Sequence, residues 1–336
     1  MSTATARSAP PVVLLFPGQG AQHPRMAAGL YRHEPVFTAW MDRAFELFGA
    51  DGSWLRAEWL APEPSPMYHD VSVAQPLLYA VNHALGRMVL DWGVRPVALL
   101  GHSVGEMAAA TLAGVLELAD GIGLMTDRVA EFAATPPGGM LAVSASVEEV
   151  ADVLRAGVHL AAVNAPRQLL LAGEREPLDR AARALTEREV VCRDVFARQA
   201  FHSPVVEQAV AATLPGWRAV RLREPRLKLY SAYTQGVLSA ETARDPVFWA
   251  RQAAETVYFA PTLTALLAEH GDCVLVEAGP GTSLSVLGRR QPSVVRGGGR
   301  VLPVLPNRHR GDQADQDATA AARRELLALS SPIPTA

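Results

Sequence analysis

The chain has 336 residues, which is enough for about two domains of ordinary size. Apolar residues make up 49% and charged residues 19%, a composition that fills a large core and excludes a disordered protein. The formal net charge is only −3, without long runs of one sign, which argues against a basic nucleic-acid-binding face.

The first part of the chain alternates short apolar runs with helical periodicity. Residues 11–16 form an apolar run that stops at the P-G-Q-G sequence of residues 17–20, a pattern typical of a buried strand entering a tight loop. Helical patterning and a second buried strand follow, at residues 26–47, 75–92, 97–100 and 106–113. Strands that alternate with helices favour a parallel sheet covered on both faces.

The rhythm changes near residue 136. Strand and helix patterns then follow the order β-α-β-β-α-β, which is that of a ferredoxin-like domain. These predicted elements are residues 140–145, 147–155, 158–163, 168–172, 177–187 and 190–195. The earlier pattern returns with core strands at 227–231 and 273–276, so we expect a small domain inserted into a larger α/β domain.

Cysteine content and hydropathy exclude further classes of protein. The two cysteines, Cys192 and Cys273, have no metal-ligand spacing, so we expect neither a disulfide scaffold nor a metal site. No apolar run reaches 18 residues, and residues 1–7 lack the apolar core of a secretion signal. These features predict a cytoplasmic protein without a membrane segment.

The strongest local signal is the sequence G-H-S-V-G at residues 101–105, between the second buried strand and the next helix. Glycines on both sides of Ser103 permit a sharp turn that projects its hydroxyl from the sheet edge. The N–H groups at the start of the following helix would then face an oxyanion. The pattern indicates a serine nucleophile, although the same sequence also fits a purely structural turn.

A serine nucleophile needs a base at neutral pH, and histidine is the expected one. His102 is a poor candidate, because adjacent side chains on a turn diverge. His202, where the small domain rejoins the large one, and His309 remain. The spacing of the residues does not choose between these two histidines.

Four motifs resemble, in order, those of the malonyl-CoA:acyl carrier protein transacylases and the acyltransferase domains of polyketide synthases. They are L-F-P-G-Q-G-A-Q at residues 15–22, G-H-S-V-G-E at 101–106, A-F-H-S at 200–203 and G-P-G at 279–281. The resemblance covers roughly residues 11–311.

With the element pattern, this resemblance predicts an α/β fold of two subdomains. A large α/β-hydrolase-like subdomain with a parallel sheet would comprise residues 11–138 and 204–310. A small ferredoxin-like subdomain would comprise residues 139–203. Residues 311–336, which are polar and rich in alanine, would form a surface helix and a tail.

The resemblance implies a role for each residue of the motifs. Ser103 is the acyl-accepting nucleophile and His202 its general base. Gln252 occupies the position from which a backbone or side-chain carbonyl orients the histidine. The backbone N–H groups of Gln19 and Val104 are the expected donors of the oxyanion hole.

Arg128 bears on the class of substrate, because it lies 25 residues after Ser103, as the family's substrate-binding arginine does. A guanidinium can hold the free carboxylate of a malonyl group bidentately. Alternatively, Arg128 is an exposed helix arginine, or Glu131 one turn later competes for its guanidinium. Gln75 and Asn164 match polar residues of the family's pocket, and each could equally cap a loop.

The residues before His202 resemble the malonyl type of acyltransferase domain. Phe201 beside the site would leave no room for an α-methyl group, and Val104 agrees with the malonyl type. The family usually has histidine at the position of Gln199. An unusual acyl group therefore stays open beside malonyl.

The function implied is transfer of an acyl group, with malonyl favoured, from a thioester to the phosphopantetheine thiol of an acyl carrier protein in polyketide biosynthesis. Malonyl-CoA is the expected donor, and no bound cofactor is expected, because the pantetheine arm arrives on the substrates. The sequence starts at Met1 without an attached carrier sequence, which favours a discrete protein. We also expect a monomer. Arg25, Arg167 or Arg289 would meet an acidic carrier protein near the cleft.

Three other functions stay open on the sequence. Some discrete members of this group move an acyl or aminoacyl group between two carrier proteins without CoA. A serine hydrolase, such as an esterase or thioesterase, would use Ser103, Asp272 and His309 in that chain order. A carrier-docking module without activity is the third.

Overall fold

The computed structural model describes residues 9–155, 157–297 and 299–330. Within them run ten strands: β1 Val12–Phe16, β2 Ala98–Gly101, β3 Gly138–Val143, β4 Val158–Ala165, β5 Gln168–Glu174, β6 Cys192–Val195, β7 Leu229–Ser231, β8 Gly236–Val237, β9 Val274–Glu277 and β10 Arg300–Pro303.

The same residues form thirteen α-helices. They are α1 Pro35–Leu47, α2 Ala50–Leu60, α3 Val71–Asp91, α4 Val104–Ala113, α5 Leu118–Ala133, α6 Arg175–Glu187, α7 Glu207–Ala219, α8 Ala240–Ala243, α9 Pro246–Arg251, α10 Phe259–His270, α11 Ser283–Arg289, α12 Pro292–Gly297 and α13 Asp312–Ser330.

The larger sheet has six strands in the order β10-β9-β1-β2-β7-β8. The strands from β10 to β7 are parallel, and β8 pairs antiparallel with β7 at one edge. Strands β1, β2 and β9 are buried along their whole length, as continuous apolar runs in a sheet covered on both faces require. The carboxyl ends of β1, β2, β7 and β9 meet at one edge, where ligands of open α/β sheets bind.

The smaller sheet is antiparallel, with the order β4-β5-β3-β6. This is the ferredoxin-like arrangement that the β-α-β-β-α-β pattern predicts, and helix α6 packs on it. The predicted two-subdomain α/β fold is confirmed. The predicted boundaries at residues 138/139 and 203/204 stay a prediction.

The prediction of an α-helix at residues 147–155, the first helix of the small domain, is wrong. Two short 3₁₀ segments, Glu148–Val150 and Val153–Arg155, stand in its place. The Ser146 N–H donates to Glu149 Oε2 over 2.8 Å, and the Glu149 N–H donates to Ser146 Oγ over 3.4 Å. Side-chain hydrogen bonds of this kind compete with those of an α-helix.

Two helices of the large subdomain begin elsewhere than predicted. Helix α1 begins at Pro35, because Arg25, Ala27 and Arg32 have positive φ angles of 57°, 60° and 71°, which interrupt a helix. Helix α3 begins four residues before the predicted position 75, at Val71. There Asp70 caps it by accepting a hydrogen bond from the Ser72 N–H.

Two contacts join the sheets near the site. Val257 donates its N–H to the Ala161 carbonyl, and the Val163 N–H donates to the Val257 carbonyl, both over 2.9 Å. Strand β4 of the small sheet therefore lies against the segment between α9 and α10 of the large subdomain.

Helix α13 is half-buried rather than a surface helix. Asp315, Thr319, Ala322 and Leu326 are buried on one face, which packs against the 3₁₀ segment Ala28–Leu30. Residues 331–336 of the predicted tail lie outside the described residues. Among the helices that the structure describes, none is long and apolar enough to cross a bilayer.

Candidate active site

Ser103 stands in a strained turn between β2 and α4. Its φ is 54° and its ψ is −122°, a left-handed conformation that few residues other than glycine adopt. A Cβ on Gly105 would lie 2.1 Å from the Phe16 carbonyl oxygen, and one on Gly101 would lie 2.2 Å from the Glu106 nitrogen. Both glycines are therefore needed for the close backbone approach that shapes this turn.

The Ser103 hydroxyl meets His202, which lies 99 residues later in the chain. The distance between Ser103 Oγ and His202 Nε2 is 2.9 Å. His202 Nδ1 lies 3.1 Å from the Gln252 carbonyl oxygen and 3.0 Å from that of Glu255. Because carbonyls only accept, Nδ1 carries the hydrogen and Nε2 is free to accept the serine proton.

The environment of His202 keeps its ring neutral. Burial, reinforced by the nearby His102 and Arg128, lowers the pKa of His202 to about 3. The two carbonyls act in the opposite direction but more weakly. A neutral imidazole at pH 7 is the protonation state that a general base requires.

The alternative triad of Ser103, Asp272 and His309 is not assembled. His309 lies close enough to His23 and Asp315, beside α13, to influence their pKa values. Asp272 precedes the amino end of β9, whereas Ser103 follows the carboxyl end of β2. Because β9 and β2 both run parallel to β1, these two residues lie at opposite edges of the sheet.

Arg128 is buried rather than exposed, with 6% of its surface accessible. Its Nε donates to Gln75 Oε1 over 3.0 Å, and Gln75 Nε2 donates to Gln19 Oε1 over 2.9 Å. The two glutamines therefore connect Arg128 to the loop after β1.

No carboxylate of the described residues pairs with Arg128, and Glu131 does not compete for it. The guanidinium lies 5.1 Å from the ring centre of Phe132 and 5.9 Å from that of Phe201. Burial lowers its pKa to about 10, which leaves it charged at neutral pH. A buried charge without a counter-ion is costly, and an anionic ligand would satisfy it.

Three polar side chains of the predicted pocket have distinct surroundings. Asn164 Oδ1 lies 2.8 Å from His102 Nε2, so Asn164 links β4 to the turn before Ser103. Gln199 is buried, with Nε2 donating to the Phe132 carbonyl over 3.5 Å and Oε1 without a partner among the described residues. Gln19 Nε2 also lacks a partner there.

The predicted oxyanion donors lie on two segments that touch. Val104 is the first residue of α4, and in the described parts of the chain neither its N–H nor that of Gln19 has an acceptor. A Cβ on Gly18 would lie 3.2 Å from the Cβ of Ser103, so the loop carrying Gln19 lies against the serine turn.

Glu106 was missed by the sequence analysis. It acts on the base His202 through Gln252. The two oxygens of its fully buried carboxyl group accept from the Ala232 N–H and from Gln252 Nε2, each over 3.0 Å. The Gln252 side chain is thus bound to Glu106, while its backbone carbonyl orients His202. Burial raises the pKa of Glu106 to about 8. Its place in the motif of residues 101–106 was the available signal.

Tyr233 was also missed. It follows β7, and its ring centre lies 6.3 Å from that of His202. Burial raises the pKa of its hydroxyl well above the ordinary value of 10.0. The signal that could have found it is its position after the carboxyl end of a parallel strand.

A cavity of about 440 Å³ lies between the two sheets. It is lined by Gln19, His102 and Asn164 beside the serine turn, and not by Ser103, His202 or Arg128 themselves. Phe196 and Arg193 of the small subdomain also line it. The three arginines predicted to lie near the cleft are not among the residues that line this cavity. Arg25 pairs with Asp312, Arg167 pairs with Glu149, and Arg289 donates to the Val301 carbonyl.

Comparison with known proteins gives relatives over most of the chain. A family model described as acyl transferase domain matches residues 13–327. A phenolphthiocerol/phthiocerol polyketide synthase from Mycobacterium tuberculosis is 37% identical over 282 residues, which cover 84% of this chain and 19% of that protein. Polyketide synthase GfsB of Streptomyces halstedii is 35% identical over 289 residues, which cover 84% of this chain and 5% of that protein. The chain thus spans about a fifth or less of these relatives' length.

Solved structures agree with this relationship. The acyl transferase domain of SpnD, in complex with 2-(pent-4-yn-1-yl)malonyl, superposes with a TM-score of 0.88 at 32% identity and covers 96% of this chain and 77% of that one. FabD from Acinetobacter baumannii shares the fold, with a TM-score of 0.83 at 22% identity. The match covers 96% of this chain and 99% of that one. Since the family model spans nearly the whole chain, this protein belongs to the acyl transferase domain family.

Proposed function

We propose that this chain transfers an acyl group, with malonyl favoured, from a thioester donor to the phosphopantetheine thiol of an acyl carrier protein through an acyl-Ser103 intermediate. The observation that carries the proposal is the 2.9 Å contact between Ser103 Oγ and His202 Nε2, beside a buried guanidinium that lacks a counter-ion among the described residues. A nucleophile, a neutral base and an anion-binding group are thereby brought together.

In the first half-reaction, His202 Nε2 takes the proton of Ser103 as Oγ attacks the thioester carbonyl. The backbone N–H groups of Val104 and Gln19 stabilise the oxyanion of the tetrahedral intermediate. The bond from carbon to sulfur then breaks, and the protonated His202 returns its proton to the departing thiolate.

The second half-reaction reverses these roles. His202 accepts the proton of the phosphopantetheine thiol, whose sulfur attacks the acyl-Ser103 ester. The bond from carbon to Ser103 Oγ breaks, and the proton passes from His202 to Oγ. Transfer competes with hydrolysis, so walls from both subdomains around the acyl-Ser103 ester would favour the thiol by limiting the access of water.

The surroundings of Arg128 support a carboxylated acyl group. Its Nη groups face no carboxylate of the described residues, and a malonyl carboxylate would accept from them in the bidentate geometry that guanidinium prefers. The related SpnD domain, 32% identical, is in complex with a substituted malonyl group. We propose that Gln75 and Gln19 orient the guanidinium. Phe201, 5.9 Å from it, limits the space beside the α-carbon.

The relatives point to polyketide biosynthesis as the setting. Both curated relatives described above are named polyketide synthases. We propose the same setting here, with CoA or pantetheine thioesters as substrates and no resident cofactor. The cytoplasmic location, the monomeric state and the discrete form stay predictions.

The test is a transfer assay that reports the mass of an acyl carrier protein after incubation with the chain and malonyl-CoA. A malonyl adduct on the carrier is expected with the wild type. Ser103→Ala and His202→Ala should abolish it, whereas His309→Ala should leave it unchanged. A second arm replaces malonyl-CoA with a malonyl-loaded carrier protein, which identifies the donor.

Two results would contradict the proposal. Loss of activity in His309→Ala with full activity in His202→Ala would restore the hydrolase arrangement. Free malonate without carrier adduct, from both donors, would show a hydrolase rather than a transferase.

A further inference from the structure

Two phenylalanine rings lie beside the buried guanidinium of Arg128. Phe132 comes one turn after Arg128 on α5, so the two side chains project from the same face of the helix. The Phe132 ring centre is 5.1 Å from the guanidinium carbon and 5.1 Å from the ring centre of Phe201, and the two ring planes are inclined by 53°. Both phenylalanines are buried. The guanidinium therefore has a packed aromatic pair at its side.

The Phe201 ring is close to both ends of the proposed acyl site. Its centre is 5.9 Å from the Arg128 guanidinium carbon and 6.5 Å from the ring centre of His202. In the proposed acyl-enzyme, the malonyl carboxylate binds Arg128 and the malonyl carbonyl is bonded to Ser103, beside His202. The α-carbon is the single atom that joins these two groups. The Phe201 ring therefore borders the space that is available to a substituent on the α-carbon.

The end of α5 holds the Phe201 ring in this place. The Phe132 ring packs on it directly, as described above. Gln199, two residues before Phe201, donates its Nε2 to the Phe132 carbonyl over 3.5 Å. The segment that carries Phe201 is thus attached to Phe132 through both a side chain and a backbone group. A ring packed in this way cannot turn aside without leaving a cavity, and cavities in packed interiors are costly.

We propose that Phe132 is a specificity-determining residue, which holds the ring of Phe201 beside the α-carbon of the acyl group and so excludes malonyl groups that carry an α-alkyl substituent. This inference rests on the acyl-Ser103 transfer proposed above. Phe132 acts through Phe201 and touches no reacting atom, so it is a positioning residue rather than a catalytic one.

Leucine at position 132 would remove the aromatic face on which Phe201 packs. The Phe201 ring would then turn toward α5 and free space for a methyl group on the α-carbon. The fit of one such group in an apolar pocket changes kcat/KM by roughly 10- to 200-fold. The change should therefore appear as a shift in substrate selectivity and not as a general loss of activity.

The test measures kcat/KM of acyl-enzyme formation from malonyl-CoA and from methylmalonyl-CoA by rapid-quench intact-protein mass. Phe132→Leu should raise the ratio of methylmalonyl to malonyl by about 10-fold or more. Phe45→Leu is the matched control, because Phe45 is also buried, with the Arg56 guanidinium carbon 5.1 Å and the Trp59 ring centre 5.7 Å from its own ring centre. Phe45 lies on α1, which carries no residue of the site, so this variant should keep the ratio of the wild type.

A double-mutant cycle separates action through Phe201 from direct contact with the acyl group. Phe201→Ala removes the ring that Phe132 holds, so the addition of Phe132→Leu should leave the ratio unchanged. An equal shift in both backgrounds would show that Phe132 contacts the acyl group itself, which overturns the proposal. An unchanged ratio in Phe132→Leu would overturn it too, as would a wild type that accepts methylmalonyl-CoA as readily as malonyl-CoA.

Thermal unfolding reports whether each variant is folded. Should Phe132→Leu fail to fold, Phe132→Met takes its place with the same expectation, because a flexible methionine fills the space without a rigid aromatic face.

Failure of the transferase proposal gives a different result, in which the wild type forms no acyl-enzyme from either thioester. The packing of Phe201 is then measured on protein labelled with para-fluorophenylalanine. The fluorine resonance of Phe201, assigned with Phe201→Ala, should shift in Phe132→Leu and stay in place in Phe45→Leu. An unmoved resonance in Phe132→Leu would overturn the role given to Phe132.

Discussion

At the residue scale, two buried groups define what this site can bind and when it can react. Arg128 retains its charge in an apolar setting of Phe132 and Phe201, with Gln75 as the hydrogen-bond partner of its Nε. His202, by contrast, is held neutral by the same burial. The site is therefore prepared for an anionic substrate and a proton-accepting step.

Arg128→Gln should depress malonyl transfer roughly 10²-fold and acetyl transfer far less, because charge-assisted hydrogen bonds to a carboxylate are lost only for malonyl. The measurement is kcat/KM for malonyl-CoA and acetyl-CoA in the same preparation. Arg87→Gln, which removes a guanidinium lying 4.5 Å from the Trp40 ring centre, is the control. Equal losses for the two substrates would remove the carboxylate argument.

The lowered pKa of His202 predicts an unusual pH profile. A neutral histidine with a pKa of about 3 stays a base as the pH falls, whereas an ordinary one is protonated below 6.5. The rate of Ser103 acylation should therefore stay nearly constant from about pH 7 down to about pH 5. Rapid-quench acylation across this range tests it, and an acid limb centred near pH 6.5 would contradict it.

Sequence reasoning identified several site residues but not their connections. The turn at Ser103 follows from its flanking glycines. The spacing of residues did not distinguish His202 from His309 as the base, because a contact between residues 99 positions apart in the sequence depends on tertiary structure. Resemblance to the family favoured His202. Glu255 had no signal, since only its backbone carbonyl reaches His202.

At the element scale, the serine turn depends on how closely α4 approaches β1. A Cβ at position 105 meets a backbone carbonyl that cannot rotate away, so strand and helix would have to separate. The elements on both sides of the turn thereby hold the strained backbone conformation of Ser103 in place.

Gly105→Ala should destabilise the protein by about 2–3 kcal/mol, because the added methyl group overlaps the Phe16 carbonyl. Gly123→Ala is the matched control in α5, where nothing lies within 4 Å of the added Cβ and the position is exposed. That variant should gain about 0.5–1 kcal/mol from helix propensity. Urea unfolding measures both, and a Gly105→Ala variant as stable as the wild type would contradict the packing argument.

Strands were easier to predict than helix ends. Continuous apolar runs such as residues 11–16 and 97–100 mark buried parallel strands directly. Residues 147–155 carried a helical apolar pattern, and the hydrogen bonds between Ser146 and Glu149 that favour 3₁₀ turns act too locally for periodicity to reveal.

At the scale of the whole molecule, the site is assembled where the two sheets meet. Glu106 on α4 binds the segment after β7 through Ala232 and the segment after α9 through Gln252. Asn164 on the small sheet reaches His102 beside the nucleophile. The base, the nucleophile and the cavity therefore share a framework that spans both subdomains.

Glu106 should make stability depend on pH. Its folded pKa of about 8 exceeds the ordinary value of 4.5, so the folded state binds more protons than the unfolded state between these values. Its contribution to stability falls as pH rises through that window, by up to about 1.4 kcal/mol per pH unit.

Urea unfolding of the wild type and Glu106→Gln at about pH 5, 6.5 and 8 isolates this contribution, because other titrating groups cancel in the difference. The variant should gain stability relative to the wild type at each higher pH. A difference that does not change with pH would show that Glu106 titrates normally.

The proposed mechanism depends on Ser103 as the residue that carries the acyl group. Rapid quenching after mixing with malonyl-CoA, followed by digestion and mass mapping, tests it most directly. A malonyl adduct is expected on Ser103 in the wild type, which disappears when the carrier protein is added and never forms in Ser103→Ala. An adduct on another residue, or carrier loading by Ser103→Ala, would contradict it.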